Sequence, residues 1–155
     1  MQRIFHTPEG VRDIYSQECS RKQKLQEKLH RVFHQYGFED IETPTFEYFE
    51  VFSKEVGTIP SRELYKFFDR EGNTLVLRPD FTPSVSRACA TYFNPEKEVV
   101  SLCYTGNTFI NNSSFRGRLK ETTQMGVERM GDDSPEADAE ILAMTVECLL
   151  ATGLT

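Results

Sequence analysis

Charged and amide side chains gather in one stretch of the sequence, the segment GNTFINNSSFRGRLKETTQMGVE at residues 106–128. Its polar middle between two runs with apolar residues predicts two β-strands joined by a loop. The groups that could contact a ligand lie on the loop and the returning strand: Arg116, Arg118, Lys120, Gln124 and Glu128. Guanidinium and ammonium groups bind carboxylates, whereas carboxylate and amide oxygens accept hydrogen bonds from amines. The hairpin therefore predicts a binding site for a zwitterionic ligand.

Gln124 and Glu128 are the pair in this hairpin whose spacing is most informative. Successive side chains of a strand point to opposite faces, so residues four apart face the same side. An amide and a carboxylate are thus expected together, either in a site or toward solvent. For Arg116, Arg118 and Lys120 three interpretations stay open: an ordinary solvated loop, a weak anion site and a surface for a partner protein.

Composition limits the classes of function. The 155 residues suffice for one domain with a sizeable core, and 38% hydrophobic residues with 12 phenylalanines indicate a folded globular protein. The net charge of −6 argues against a nucleic-acid-binding module, because neutralising phosphates needs a basic surface. The sequence has no apolar run of transmembrane length and no secretion signal, so a cytoplasmic protein is expected.

Cysteine and histidine patterns give no metal site. The four cysteines are far apart and form no C-x-x-C pair, so reduced thiols are expected. His30 and His34 would lie one turn apart on a helix, but the sequence shows no third ligand beside them. They are therefore interpreted as surface residues, and neither a metal nor a cofactor is predicted.

Hydrophobic periodicity predicts helices interspersed with strands. Helices are predicted over residues 17–36, 47–52, 82–93 and 136–151. Strands are predicted over residues 38–43, 64–68, 74–77, 99–110 and 118–129. Gly37 is placed to end the first helix, and Thr82 to cap the third, with Pro83 in its first turn. Because hairpins join most strands, the predicted fold class is α+β, an antiparallel sheet flanked by helices.

Four segments resemble the catalytic core of histidyl-tRNA synthetases, which are class II aminoacyl-tRNA synthetases. They are TPEGVRDIY, YGFEDIETPTFE, YKFFDREGNTLVLRPDFTPSVSR and GRLKETTQMGVE, at residues 7–15, 36–47, 65–87 and 117–128. The resemblance covers nearly the whole chain and implies a class II synthetase-like core over residues 1–155. It also implies that the helix and strand ending at Pro44 correspond to motif 1, a region of self-association, and that the hairpin corresponds to motif 2.

The last residues of the sequence are interpreted as a sign of a longer protein. They directly follow the final predicted helix, and motif 3 of the family is not among the 155 residues. The chain is therefore expected to be the N-terminal part of a synthetase-like core.

Two positions depart from the family pattern where the synthetase binds ATP. The arginine that contacts the α-phosphate corresponds to Ile110, and the glutamate that contacts adenine corresponds to Asn112. Adenylate formation builds negative charge at phosphorus, and isoleucine has no donor to stabilise it. Loss of such a contact costs about 10²–10³ in rate, so the chain is predicted not to activate an amino acid.

The resemblance implies that the amino-acid pocket is better retained. Asp80 corresponds to the glutamate that binds the substrate ammonium, and the positions that contact histidine correspond to Thr82, Gln124 and Glu128. A carboxylate, a hydroxyl and an amide can each accept a hydrogen bond from an ammonium. Asp80 has a further interpretation as a cap of the helix that starts at Thr82. These four residues are predicted to bind histidine.

A synthetase-like chain with the histidine pocket but without the ATP arginine is similar to the regulatory subunits of ATP phosphoribosyltransferase. This resemblance implies a non-catalytic subunit that assembles with a short-form catalytic subunit. It implies that this subunit is needed for the first step of histidine biosynthesis and lets histidine inhibit the pathway allosterically. Two alternatives stay open: a fragment of an active histidyl-tRNA synthetase, and a synthetase-like module for dimerisation or tRNA sensing.

Overall fold

Helices alternate with pairs of strands along the described part of the chain, which in this computed structural model comprises residues 5–53, 59–112 and 117–154. The α-helices are α1 (Ser16–Gln35), α2 (Phe49–Ser53), α3 (Thr82–Tyr92) and α4 (Pro135–Ala151). The strands are β1 (Glu39–Asp40), β2 (Phe46–Tyr48), β3 (Lys66–Phe68), β4 (Thr74–Leu77), β5 (Val100–Phe109) and β6 (Glu121–Met130), and a 3₁₀ helix covers Ser61–Glu63. No helix within these ranges has the length and apolar character to cross a bilayer.

The strands form two three-stranded sheets. One has the order β1–β5–β6 and the other the order β2–β4–β3. The hairpins β3–β4 and β5–β6 confirm the predicted antiparallel pairs, and the second runs from Val100 opposite Met130 to Phe109 opposite Glu121. β1 differs from the expectation of a purely antiparallel sheet, because it runs parallel to β5.

Each face of the β5–β6 hairpin packs against different helices. On one face, Phe81 and α3 meet Tyr104 in a buried cluster. On the other, Phe33 of α1 and Met144 of α4 pack around Cys103. Alternation along β5 explains the division, since neighbouring residues of a strand face opposite sides. The hairpin is thus the central layer from which the site residues project.

Three of the predicted helices are confirmed to within one residue at each end, namely α1, α3 and α4. Gly37 has a φ of +78° and follows α1 as predicted, with its N–H donating to the His34 carbonyl. Ser134 caps α4 by accepting a hydrogen bond from the Ala137 N–H at 3.2 Å. Capping by a serine side chain satisfies one of the free N–H groups of the first turn.

Three local predictions are wrong. The predicted helix at residues 47–52 begins only at Phe49, because the preceding residues pair with β4 as a strand. The returning strand begins at Glu121, so Arg118 lies before it. Thr82 is the first residue of α3 and not its cap: its hydroxyl donates to Glu128, and it accepts no hydrogen bond from the N–H groups of the first turn.

The apolar stripe of α4 faces outward. The spacing of Leu142, Val146 and Leu149 predicts the helix correctly, yet these side chains are 68%, 55% and 48% exposed. The buried residues of α4 are Ala137 and Met144. Periodicity therefore identifies the helix but not the side that meets the core.

Candidate functional site

Three segments converge on one face of the β5–β6 hairpin: the two strands and the connection between β4 and α3. The strand register places Tyr104 opposite Gly126. Since side chains alternate along each strand, Tyr104, Gln124 and Glu128 project from the same face. Phe81 is buried and stacks on Tyr104 with ring centroids 4.4 Å apart, which holds the β4–α3 connection against this face.

The four residues predicted to bind histidine meet here in two hydrogen-bonded pairs. Gln124 Nε2 donates to Asp80 Oδ1 at 3.0 Å, and Thr82 Oγ1 donates to Glu128 Oε1 at 2.6 Å. Asp80 Oδ1 also accepts a hydrogen bond from the Phe81 N–H at 2.8 Å, which orients the carboxylate at the start of α3. The structure therefore brings together residues that are more than forty positions apart in the sequence.

Tyr104 is a residue of this site that the sequence reasoning missed. Its hydroxyl lies 3.5 Å from Glu128 Oε1, and its ring lies so close to Gly126 that a Cβ there would collide with the hydroxyl. Burial, together with the negative charges of Glu128 and Asp80, raises the pKa of Tyr104, so the hydroxyl keeps its proton and can donate. No local sequence pattern points to Tyr104, because its place beside Glu128 depends on the register that pairs it with Gly126.

A buried arginine, Arg78, fixes the connection that carries Asp80. Its guanidinium lies 4.1 Å from the centroid of the Phe81 ring and donates to three backbone carbonyls. The accepting residues are Thr43 at 2.8 Å, Pro44 at 3.2 Å and Asn107 at 2.9 Å. Burial lowers the pKa of Arg78. Its charge is directed to carbonyls and a ring face, and not to the carboxylates of the site.

The site carries two carboxylates and no cation within salt-bridge distance in the described ranges. None of the ion pairs there, all with N···O distances within 4.0 Å, includes Asp80 or Glu128. The hydrogen bonds that Asp80 and Glu128 accept from neighbouring groups reach Oδ1 and Oε1, so the second oxygen of each carboxylate is the natural acceptor for a ligand. Two anionic groups beside an amide and two hydroxyls suit a ligand with amine or imidazole N–H groups.

Ile110, at the position where the synthetase has its ATP-binding arginine, lies at the neck of the hairpin. Ile110 directly follows β5, and its N–H donates to the Lys120 carbonyl at 2.9 Å, which closes the neck of the hairpin. Arg118 is exposed, and Arg116 lies outside the described residues. The anion or partner contact assigned to these two arginines therefore stays a prediction.

A separate groove of about 750 Å³ lies between β1 and α3. Its lining includes Glu47 and Arg87, whose side chains form hydrogen bonds of 2.7 and 3.0 Å to each other. None of the four predicted residues lines it. Because its buried carboxylate already has a partner, this groove is a weaker candidate for a charged ligand than the hairpin site.

Comparisons of the sequence connect the chain with synthetase-like proteins. Residues 10–155 match the family described as Histidyl-tRNA synthetase. Proteins named ATP phosphoribosyltransferase regulatory subunit from Ruminiclostridium cellulolyticum and Acetivibrio thermocellus are 44% and 43% identical over 150 residues. The aligned region is 97% of this chain and 36% of each relative, so the chain spans little more than a third of the length of these curated relatives.

Solved structures agree in fold. An ATP phosphoribosyltransferase regulatory subunit/histidyl-tRNA synthetase from Bacillus halodurans superposes with a TM-score of 0.86 at 32% identity, over 100% of this chain and 40% of that one. Apo histidyl-tRNA synthetase of S. aureus superposes with a TM-score of 0.78 at 26% identity, over 98% of this chain and 36% of that one. The predicted α+β, class II synthetase-like fold is confirmed.

Proposed function

We propose a function from one premise, which is that this chain belongs to the histidyl-tRNA synthetase family. The chain is the N-terminal part of a regulatory subunit of ATP phosphoribosyltransferase, binds histidine and has no catalytic role of its own. The names of the relatives that align over 97% of the chain support this assignment. Those relatives are longer, so the proposed regulatory function is that of a full-length protein of which this chain is the N-terminal part.

One observation carries the proposal: the four residues assigned to histidine meet on one face of the hairpin, while the position of the ATP arginine holds an isoleucine. In this proposal Asp80 accepts a hydrogen bond from the ligand ammonium, and Glu128 accepts one from an imidazole N–H. Each such contact is a charge-assisted hydrogen bond, worth about 1.5–3 kcal/mol. Ile110 offers no donor to a phosphate, so adenylate formation lacks its main electrostatic support.

Regulation follows from coupling between two subunits. In this proposal the chain assembles with a short-form catalytic subunit in the cytoplasm, and the complex carries out the first step of histidine biosynthesis. Histidine inhibits only if it binds the less active state of the complex more tightly than the active one. The extent to which histidine can shift the complex toward the less active state is therefore limited by the difference between its affinities for the two states.

Calorimetry on the protein at its natural length tests the assignment. We expect saturable binding of one histidine per chain and no binding of ATP, because the site offers carboxylates and lacks the phosphate-binding arginine. Leucine, which keeps the ammonium and carboxylate but lacks the imidazole, is the control ligand and should bind far more weakly. Tight ATP binding, or histidine-dependent pyrophosphate exchange, would instead show an active histidyl-tRNA synthetase.

Self-association is part of the same proposal, and an aromatic surface supports it. Phe46 and Tyr48 of β2 are 51% and 55% exposed, and Phe67 and Phe68 of β3 are 37% and 72% exposed. Tyr48 and Phe67 both pair with Leu75, and the Phe46 and Phe67 rings lie 5.7 Å apart, so these three residues share one face and form the aromatic patch, whereas Phe68 projects from the opposite face. The patch begins two positions after the motif 1-like segment that ends at Pro44. A cluster of exposed aromatic side chains of this kind marks an interaction surface. We assign it to a second copy of the chain.

The change Tyr48→Asp should weaken this dimer at least tenfold, about 1.4 kcal/mol, because it places a charge within the aromatic patch. Sedimentation velocity over a range of protein concentrations measures the dissociation constant. Leu142→Asp is the matched control, since Leu142 is 68% exposed on α4, away from the patch. Equal association of the two variants and the unmodified protein would contradict the assignment.

A further inference from the structure

Two histidines of α1 meet an aspartate of β1 at the edge of the central sheet. His30 and His34 are one helical turn apart, and their ring centroids are 4.2 Å apart. Both point their Nε2 atoms at the carboxylate of Asp40: His30 Nε2 lies 2.5 Å from Oδ1 and His34 Nε2 lies 3.0 Å from Oδ2. The third group that the sequence did not reveal is thus supplied by the strand that follows the helix.

A cysteine completes the cluster. The parallel pairing of β1 with β5 places Asp40 opposite Cys103, whose Sγ lies 3.4 Å from Asp40 Oδ1. Cys103 is fully buried, whereas the side chains of His30, His34 and Asp40 are 36%, 45% and 56% exposed. One wall of the cluster is therefore apolar and the other is open to an ion from solvent.

We propose that His30, His34, Asp40 and Cys103 form a binding site for Zn²⁺. Two imidazole nitrogens, one carboxylate oxygen and one thiolate are all ligands that zinc takes in proteins, and four of them satisfy its tetrahedral preference. Magnesium and calcium would be rejected, since they prefer oxygen ligands throughout.

The donor atoms are close enough together for a tetrahedral site to form after side-chain adjustment. With bonds of about 2.0–2.3 Å to zinc, tetrahedral ligand atoms lie about 3.3–3.8 Å from one another. The four donor atoms here all lie within 4.8 Å of one another, and His30, His34 and Cys103 are at 2.5, 3.0 and 3.4 Å from their Asp40 oxygens. Small rotations of exposed histidine and aspartate side chains therefore suffice to form the site.

The site is independent of the histidine pocket. Cys103 projects from the face of β5 opposite to that of Tyr104, and it packs with residues of α1 and α4. A bound ion would join α1, β1 and β5, and so would fasten the two-residue strand β1 to the sheet. Zinc and histidine are thus expected to bind without competing.

Metal titration of the natural-length protein, after treatment with a chelator, tests the proposal. Calorimetry with Zn²⁺ should show one ion per chain, with at least about 100-fold weaker binding in His34→Gln, since even changes to groups that only hydrogen-bond the ligands cost zinc sites about 10–100-fold. Co²⁺ should give tetrahedral ligand-field absorption in the visible range and a thiolate-to-cobalt charge-transfer band that Cys103→Ser removes.

Two changes outside the cluster provide matched controls. His6→Gln removes the remaining histidine, and Cys19→Ser removes a cysteine of α1 that is not in the cluster. Both should leave zinc and cobalt binding intact. Because His34 is exposed, its variant keeps its fold and the test does not depend on Cys103→Ser. Absence of saturable zinc binding overturns the site, as does zinc binding that His34→Gln leaves unchanged or a cobalt complex without the thiolate band.

Discussion

Replacing Glu128 with glutamine should weaken histidine binding about 2- to 30-fold. The change keeps the size of the side chain and an oxygen that can accept from Thr82, but it removes the negative charge. Charge-assisted hydrogen bonds contribute about 1.5–3 kcal/mol, against about 1 kcal/mol for neutral ones, and each 1.4 kcal/mol is tenfold in affinity. Calorimetry measures the affinity, and the histidine concentration for half-inhibition of the assembled complex should rise by the same factor.

Glu136→Gln is the matched control for this experiment. Glu136 carries the same carboxylate but is exposed in the first turn of α4, away from the hairpin face. It should leave histidine affinity unchanged. If Glu128→Gln binds histidine as tightly as the control, Glu128 does not contact the ligand and the site must be reassigned.

Arg78→Met should destabilise the folded protein by about 2–3 kcal/mol. It leaves three carbonyl oxygens without their guanidinium donor and removes the cation from the face of Phe81. Unsatisfied buried acceptors cost about 1–3 kcal/mol each, and relief of the desolvated charge offsets part of that sum. Urea unfolding followed by circular dichroism measures the change as a lower transition midpoint.

The same substitution at Arg70 separates this effect from a general loss of charge. Arg70 is exposed in the turn between β3 and β4, so Arg70→Met should change stability by less than about 0.5 kcal/mol. Arg78→Met should also weaken histidine binding, because Phe81 and Asp80 depend on the same connection. Equal midpoints for the two variants would show that the carbonyl contacts of Arg78 contribute nothing net to stability.

Short-range rules account for the elements that were predicted well. The helices α1, α3 and α4 have apolar spacing, caps or breakers within their own sequence, and these signals act over one or two turns. The β3–β4 and β5–β6 hairpins are likewise encoded by polar turns between alternating strands. The sequence predicts a helix over residues 47–52, yet Glu47 and Tyr48 belong to β2, because their strand conformation comes from pairing with β4, about thirty residues later in the chain.

In the candidate site, too, some relations between residues follow from local sequence and others only from the tertiary structure. Gln124 and Glu128 share a face because they are four apart on one strand, so the sequence alone determines that relation. Tyr104 joins them only through the register of β5 with β6, which no local pattern specifies.

The amino-acid sequence was enough to identify the family and the class of fold and to predict four site residues, because these inferences depend on motifs within single segments. Tertiary structure alone decided that Asp40 and Cys103 meet His30 and His34, since a parallel strand pair and a helix packed beside it create that neighbourhood. It also decided which side of α4 is buried. Contacts between distant segments depend on register and layer packing, and these are set by the whole chain at once.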